Sequence, residues 1–395
     1  MAAKLKTSSS FRALGKTALI LNLYLDLELG QPCYGTILIW TKKIGLYSLH
    51  PPNEKADDWV LIIDESIAIG HERLLVIYGV RTSQMDFKRA LTYQDLTPLF
   101  IKSSNKWTGD IIKKEIDKII EKQGRVKYIV ADGGNAICKS IELLSNTHVY
   151  DITHKIAWLL KKMYGKEDIF INYTKEMAQM RFKAACSDVS HIIPPKQRMD
   201  SRFMNLDILS DWGMKALNCL ELSKKDSKIF NWLYWLNDYK DLIKELSTIN
   251  MIIAEIKTIF KTTGLSRKSI KMANMIFLKR GQKTKNARIK YFKQNIMEYL
   301  EDTFAQLPEE KIILCTSDII ESSFGKYKNY VSQNPMAGIT DMALSLATFT
   351  SLLDAGKVKE GLENTKMVDL KKWSKENIGE TNISKRKRAM TISRV

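Results

Sequence analysis

The sequence lacks any run of about 18 uncharged apolar residues, which disfavours a membrane-spanning helix. Its N-terminus, MAAKLKTSSSFRALGK, has no long apolar stretch before a small-residue cleavage site, so no secretory signal is predicted. Only five cysteines occur among 395 residues, and they form neither a Cys-x-x-Cys pair nor a Cys/His cluster with zinc spacing. Scattered thiols of this kind are typical of reduced cysteines, and they predict a cytoplasmic protein (at the nucleoid, in a bacterium).

Acidic residues are in the minority. The chain has 62 Lys and Arg against 44 Asp and Glu, a formal net charge of +18, and a pI near 9.4. Neutralising phosphates supplies most of the non-specific affinity for nucleic acids, so this excess predicts a polyanionic partner.

The positive charge is concentrated between Glu255 and Glu298, where 12 Lys or Arg stand against two Glu. Two interpretations are open: a solvated helical face, or a track for a DNA backbone. The interleaved aromatics Phe260, Phe277 and Tyr291 favour the second. The candidate DNA contacts in this segment are Arg267, Lys268, Lys271, Lys279 and Arg280.

Residues 1–50 predict a small helical unit. Two helical patterns are separated by Gly30 and a short turn, and the second pattern contains Trp40, Lys42 and Lys43. A helix, a turn and a second helix with basic and aromatic residues fit a helix-turn-helix, whose second helix would enter a major groove. A generic helical hairpin fits the pattern as well.

The remaining chain divides by its periodicity. Residues 55–158 read as an α/β unit, beginning with a hairpin of WVLIIDESIA and RLLVIYGVRT, which alternates strands and helices. Strand signals nearly vanish over residues 159–310, which predicts an all-α segment. Residues 311–350 return to a short apolar run and an amphipathic helix, and residues 351–395 predict a polar, basic, mobile tail.

Three carboxylates stand in similar structural contexts. Asp64 lies inside an apolar strand, Asp132 ends another, and Glu321 lies on the helix after the last apolar run. A carboxylate amid buried apolar residues is costly unless it is paired, hydrogen-bonded or bound to a metal. If the three converged, they could bind two Mg²⁺ ions, which prefer oxygen ligands and clamp the two oxygens of an in-line phosphoryl displacement.

Each carboxylate also has a structural interpretation. Asp64 could be a strand-end residue, Asp132 could shape the turn at Gly133–Gly134, and Glu321 could be a solvated helical residue. Only the set and its order favour a catalytic role.

This order resembles the DDE transposases, which place an Asp in the first strand, an Asp at the end of a later strand and a Glu on a C-terminal helix. The spacings are 68 residues (64 to 132) and 189 residues (132 to 321), and the second contains the all-α segment. Such a helical insertion resembles the hAT, Mutator-like and related bacterial insertion-sequence transposases. Asp151-Ile152-Thr153-His154 matches the (Cys/Asp)-x-x-His signature of that group.

Glu321 and Lys328 also match the Glu-x6-Lys spacing of many bacterial transposases. Seven residues are about two helical turns, so both side chains lie on one helical face. Some of those families place Tyr and Arg seven and four residues before the Glu, whereas Leu314 and Ser317 stand there in this chain.

The resemblance implies a ribonuclease H-like core interrupted by an all-α insertion. It implies that Asp64, Asp132 and Glu321 hold two Mg²⁺ ions, for which Mn²⁺ could substitute, and that Lys326 and Lys328 contact DNA. The implied partners are double-stranded DNA, as transposon ends and target, and further copies of the chain in a homodimer or higher oligomer. A Trp of the insertion would stack on a flipped base; Trp232 and Trp235 are the candidates, and core aromatics are the alternative.

Asp151 and His154 alone could be metal ligands, an acid/base pair or a helix cap. A metal role is disfavoured because no further ligands with matching spacing are present. We expect Asp151 to cap the following helix, and the pair to support the carboxylate site.

Two other functions remain open at this point. A transposase-derived protein could bind DNA with catalysis lost, and a ribonuclease H-like nuclease could cut without joining. All three carboxylates are present, which disfavours the first, and the helical segment and N-terminal unit disfavour the second.

Overall fold

The protein forms two compact units. The residues described by this computed structural model are 7, 9–26, 30–51, 55–67, 71–197, 202–225, 227–281, 286–331, 337–351 and 354–392. The first unit comprises Met1–Asp86, Leu91–Val149 and Ser317–Val395. The second unit comprises Phe87–Ala90 and Tyr150–Thr316.

The first unit is built on a five-stranded mixed sheet, which confirms the predicted α/β class. The strands are β1 (Ala56–Ile67), β2 (Arg73–Arg81), β3 (Thr97–Ser104), β4 (Gly124–Ala131) and β5 (Thr147–Tyr150). Their order is β3-β2-β1-β4-β5. The predicted hairpin is confirmed, because β1 pairs antiparallel with β2; β2 also pairs antiparallel with β3, and β1 pairs parallel with β4.

Nine helices accompany this sheet in the described part of the first unit. They are α1 (Phe11–Leu25), α2 (Tyr34–Ser48), α3 (Gly109–Gln123), α4 (Asn135–Leu143), α12 (Asp318–Val331), α13 (Ser345–Thr350), α14 (Ala355–Asn364), α15 (Met367–Asn377) and α16 (Asn382–Ile392).

Both faces of the sheet are covered, and this explains why its strands are continuous apolar runs. Leu61 and Ile63 of β1 share one core cluster with residues of α3 and α4. Successive side chains of a strand point to opposite faces, so Val60 and Ile62 face the other side, where they are fully buried. On that side α12 packs against β1.

Helix α2 packs closely against α13. A side chain at Gly45 would place its Cβ 2.1 Å from the Leu344 carbonyl oxygen, so only glycine permits this approach. The Thr348 hydroxyl donates to the Thr41 carbonyl at 2.8 Å, at a point where both residues are buried. The two helices predicted for residues 1–50 are therefore present, but the described part of this segment belongs to the same compact unit as the sheet.

The segment 351–395, predicted as a polar mobile tail, forms three helices within its described residues 354–392. Leu370, Trp373 and Ile378 are buried. Leu370 and Trp373 lie three residues apart on one helical face, and this short apolar spacing within a polar sequence is sufficient to dock α15.

The second unit is helical. Its helices are α5 (Ile152–Tyr164), α6 (Asp168–Ala184), α7 (Leu206–Leu222), α8 (Lys228–Leu233), α9 (Lys240–Thr263), α10 (Arg267–Gly281) and α11 (Ala287–Ala305). Leu265 and Ile313 form an antiparallel bridge, with backbone hydrogen bonds of 2.7 and 2.8 Å. In neither unit does a described helix have the length and apolar character needed to cross a membrane.

Candidate functional site

Asp64 lies near the end of β1 and is half-buried. Its Oδ1 accepts the backbone N–H of Glu65 at 2.7 Å. Ile62, two residues earlier, pairs with Tyr78 of β2, whose hydroxyl donates to Ser323 of α12 at 3.2 Å. Residues two apart on a strand share a face, so Asp64 lies on the face of the sheet that α12 covers.

Asp132 directly follows β4 and is also half-buried. Its Oδ1 accepts the backbone N–H of Gly134 at 2.9 Å, which closes the turn into α4. The turn-shaping interpretation of Asp132 therefore holds. Since this bond occupies one carboxylate oxygen, it fixes the side chain and leaves Oδ2 for other ligands.

The parallel register brings Asp64 and Asp132 to the same edge. Ile63 of β1 pairs with Ala131 of β4, and Asp64 and Asp132 are the residues that directly follow this pair along the chain. Ligand sites in sheets with parallel strands form at the carboxyl ends of those strands. The two carboxylates predicted from the sequence thus stand side by side at such an end.

Glu321 lies in the first turn of α12 and is half-buried. The buried face of α12 contains Ile320, Ser323 and Phe324, and Glu321 borders that face. The structure therefore places Glu321 on the helix that covers the Asp64 face. Lys328, two turns further along α12, is exposed.

Glu65 and Asp132 lie near enough at this edge for their charges to interact. Burial raises the pKa of Glu65; the ion pair with Arg73 lowers it, and the charge of Asp132 raises it further. In the part of the chain that the structure describes, no Lys or Arg forms an ion pair with Asp132. A carboxylate that no side-chain cation neutralises favours binding of an external cation.

Sequence reasoning missed Glu65. It pairs with Leu75 of β2 and faces the α3–α4 side of the sheet, opposite to Asp64. Its Oε2 accepts from Arg73 at 3.1 Å, while its buried Oε1 has no hydrogen-bond partner. Strand alternation could have identified it, since one of two consecutive acids in a strand must face the other side.

The charge of Asp132 also affects the pKa values of Cys138 and His148. Burial and then the charge of Asp132 raise the pKa of the Cys138 thiol. Burial lowers the pKa of His148, against the opposing effects of its bond to the Ala131 carbonyl and of the Asp132 charge.

The donor set has the chemistry that a hard divalent cation requires, because carboxylate oxygens are its preferred ligands. Among the described residues, however, no three Asp, Glu, His or Cys side chains stand together as a metal site. The structure brings Asp64 and Asp132 together, and it places Glu321 on the adjoining helix without completing a cluster of three. Mg²⁺ is commonly held by one or two carboxylates, waters and substrate phosphates, so the residues fit this ion.

Asp151 and His154 belong to the second unit. Asp151 is buried, and its Oδ1 accepts the backbone N–H of His154 at 2.8 Å. The predicted helix cap is thereby confirmed for α5. That the pair supports the carboxylate site stays a prediction.

Apart from the exposed Lys328, the predicted cations of the first unit contact protein groups. Lys42 donates to Asp341 at 2.7 Å, and Lys43 donates to the Leu362 carbonyl at 3.0 Å. The Lys326 ammonium lies 4.1 Å from the centre of the Tyr93 ring. Trp40 of α2 is half-buried. Binding of DNA by these four residues stays a prediction.

The predicted cations of α10 differ among themselves. Arg267 forms an ion pair with Glu301 at 2.8 Å, and Arg280 forms one with Glu255 at 2.7 Å. By contrast, three lysines are exposed at spacings that place them along one side of the helix, namely Lys268, Lys271 and Lys279.

Trp232 and Trp235 line a cleft of about 330 Å³ in the second unit, together with Met180 and Lys183. Trp235 stacks on Trp212, with ring centroids 6.4 Å apart and an interplanar angle of 22°. Trp235 therefore belongs to an aromatic cluster and also borders an accessible cleft, so both interpretations of the pair remain compatible with its position.

Comparison with known proteins gives a limited result. No model of a known protein family matches the sequence, and no curated protein matches it. Among solved structures, the Drosophila P element transposase strand transfer complex is similar with a TM-score of 0.44 and 14% sequence identity. The similarity covers 89% of this chain and 92% of that chain. A similarity of this size does not define a function, which has to be inferred from the site.

Proposed function

We propose that the chain is a DNA transposase, which cleaves transposon ends and joins their 3′-hydroxyl groups to target DNA. One observation carries the proposal: Asp64 and Asp132 stand side by side at the end of the parallel pair β1–β4. The face of Asp64 is the one covered by the helix of Glu321. The net charge of +18 supports a polyanionic substrate.

The proposed core is ribonuclease H-like, with the helical segment as an insertion. Asp132 and Glu321 are separated by 189 residues (132 to 321), yet both belong to the first unit. The chain between them forms most of the second unit, Tyr150–Thr316. This return to the same unit is the organisation expected of an inserted domain.

The proposed reaction has two steps at one site. In the first, a water oxygen bonds to phosphorus at the transposon end while a P–O bond breaks, which leaves a free 3′-hydroxyl group and a 5′-phosphate. In the second, the 3′-oxygen bonds to a target phosphorus, its proton is lost, and the target strand leaves through its own 3′-oxygen. Neither step requires a covalent bond to the protein.

Asp64, Asp132 and Glu321 would hold two Mg²⁺ ions or Mn²⁺. These ions would stabilise the charge on the attacking and leaving oxygens. Asp132 is positioned for its part by the bond from Gly134, and Asp64 by the pairing of β1 with β2. We further propose that double-stranded DNA is the substrate, that Lys326 and Lys328 contact it, and that the chain acts as a homodimer or higher oligomer.

The test uses labelled DNA fragments that flank the gene, a supercoiled plasmid as target, and Mg²⁺ or Mn²⁺. We expect cleavage and strand transfer by the wild-type protein. Asp132→Asn keeps the acceptor for the Gly134 N–H but loses the charge, so cleavage should fall at least about 100-fold while DNA binding persists. Removal of the metal with EDTA should have the same effect.

Glu142→Gln is the matched control. Glu142 is an exposed carboxylate on α4 of the same unit and pairs with Lys139 at 3.1 Å, so its loss should leave cleavage unchanged. Binding without cleavage by the wild-type protein would refute the proposal in favour of a DNA-binding protein. Cleavage without joining would identify a nuclease.

A further inference from the structure

An exposed tryptophan of the second unit lies between two lysines. Trp158 of α5 is 48% exposed. The ammonium groups of Lys155 and Lys162 lie 4.9 and 5.4 Å from the centre of its ring. The three residues are spaced at i, i+3 and i+7, so they form one stripe along the helix.

The stripe continues onto α11, which packs against α5. Lys162 lies 5.7 Å from the ring centre of Tyr291, and Lys155 lies 5.6 Å from that of Tyr299. Tyr291 is 36% exposed and Tyr299 is buried. We call Lys155, Trp158, Lys162 and Tyr291 the Trp158 surface.

The core of the second unit does not require Trp158. The buried side of α5 is formed by other apolar residues, namely Ile152, Ile156, Leu159, Leu160 and Met163. An indole that is about half exposed adds little to packing there, while its exposed part is suited to a ligand.

The charge around the Trp158 surface is positive. Helix α5 contains no Asp or Glu, and Lys161 and Lys166 nearby are exposed. Glu167, the next acid along the chain, is paired with Arg288 at 2.5 Å. On α11, Glu298 is exposed. A surface on which lysines outnumber acidic side chains attracts phosphate groups.

We propose that the Trp158 surface binds single-stranded DNA, with a base stacked on Trp158 and the flanking phosphates bound by Lys155 and Lys162. Aromatic faces flanked by cations are the usual means of binding single strands, because unpaired bases expose their π-faces and duplex bases do not. The lysine side chains are long and flexible, so ammonium groups that lie beside the ring can turn towards the flanking phosphates. The choice of DNA rests on the proposed function.

The test measures the binding of a fluorescein-labelled 20-residue oligothymidylate by anisotropy, without divalent metal, on the full chain. Trp158→Ala should weaken binding about 5- to 30-fold, and Trp158→Phe should retain most of it. The same Trp158→Ala change should alter binding of a duplex of equal length less than about twofold. Lys155→Gln with Lys162→Gln should weaken binding of both DNAs.

Phe182→Ala is the matched control, because Phe182 is an aromatic residue of the same unit and is 87% exposed. Its binding and that of wild type should agree within about twofold, and circular dichroism should show that all variants are folded. Equal loss of single-strand and duplex binding in Trp158→Ala, or no binding of the oligonucleotide by wild type, would overturn the proposal. This test measures DNA binding and not cleavage, so its outcome is distinguishable from a failure of the transposase proposal.

Discussion

Two groups of predicted DNA-binding lysines, one in each unit, differ in what they contact. In the first unit, Lys42, Lys43 and Lys326 are engaged with a carboxylate, a carbonyl and an aromatic ring. In the second unit, Lys268, Lys271 and Lys279 extend along the exposed side of α10. These three lysines of the first unit therefore contact protein groups, whereas Lys328 of the same unit and the three lysines of α10 remain accessible to solvent.

This difference shows what a count of charges can and cannot locate. Lysine density identifies segments that attract phosphate, but packing decides which ammonium groups remain accessible. Lys42 has a side chain that is only 14% exposed, because α2 is held against α13 and the neighbouring Asp341. A lysine in that position contributes little to binding a polyanion.

The largest effect is expected from the lysines of α10. Replacing Lys268, Lys271 and Lys279 together by Gln removes three exposed cations and, within the described part of the chain, breaks no ion pair. DNA affinity at low salt should fall about 10- to 100-fold, and the slope of log affinity against log salt should decrease by about 2 to 3. Anisotropy titrations between low and physiological salt measure both.

The matched control is Lys42→Gln with Lys43→Gln in the first unit. We expect DNA affinity to change less than about twofold, and thermal stability to fall because the bonds to Asp341 and the Leu362 carbonyl are lost. If this double variant loses DNA binding as strongly as the α10 variant, the contrast between the units is wrong.

The next largest effect is expected on stability, and it concerns Asp58. Burial opposes its ionisation, but hydrogen bonds from Ser83 and Arg81 and the charge of Arg81 lower its pKa to about 2. Because the folded pKa lies below the unfolded one, this stabilisation is present above about pH 4 and is lost as the pH falls towards 2.

Asp58→Asn should therefore lower the free energy of unfolding by about 1–2 kcal/mol at pH 7 and flatten its decline between pH 4 and 2. Urea denaturation at several pH values measures this. An unchanged acid limb in the variant would show that Arg81 and Asp58 are not coupled as described.

The smallest effect concerns Asp151, a buried carboxylate that the second unit satisfies with a backbone N–H. Asp151→Ala should cost about 1 kcal/mol of stability, whereas Asp151→Asn, which can cap equally well, should cost only a few tenths. Thermal denaturation distinguishes the two.

His154→Ala should slow DNA cleavage without abolishing metal binding, and wild-type cleavage rates in this variant would contradict the predicted supporting role.

Much of the sheet could be predicted, because continuous apolar runs are typical of strands in a sheet that is covered on both faces. Both β1–β2 pairing and the strand preceding Asp132 follow from the sequence. Strand β3, TPLFIKSS, was missed because it contains Pro98 and ends in polar residues. This segment forms a strand because it pairs antiparallel with β2, and that tertiary interaction is not evident from the local sequence.

The sequence identified the carboxylates of the candidate site more readily than the residues around them. Carboxylates in apolar strands are anomalies that a sequence displays, so Asp64 and Asp132 were found. Trp158 was missed because a tryptophan in an amphipathic helix is ordinarily assigned to the core. Whether Trp158 is buried depends on where α11 packs, which no local pattern contains.

The divided first unit has a consequence for synthesis. Helix α12, which covers the face of Val60, Ile62 and Tyr78, is separated from β4 by more than the whole second unit. At about 5–20 residues per second, a ribosome needs about 10–40 s to add that much chain. During this interval the apolar face that later receives α12 stays uncovered, so a growing chain is a substrate for chaperones until Glu321 has been translated.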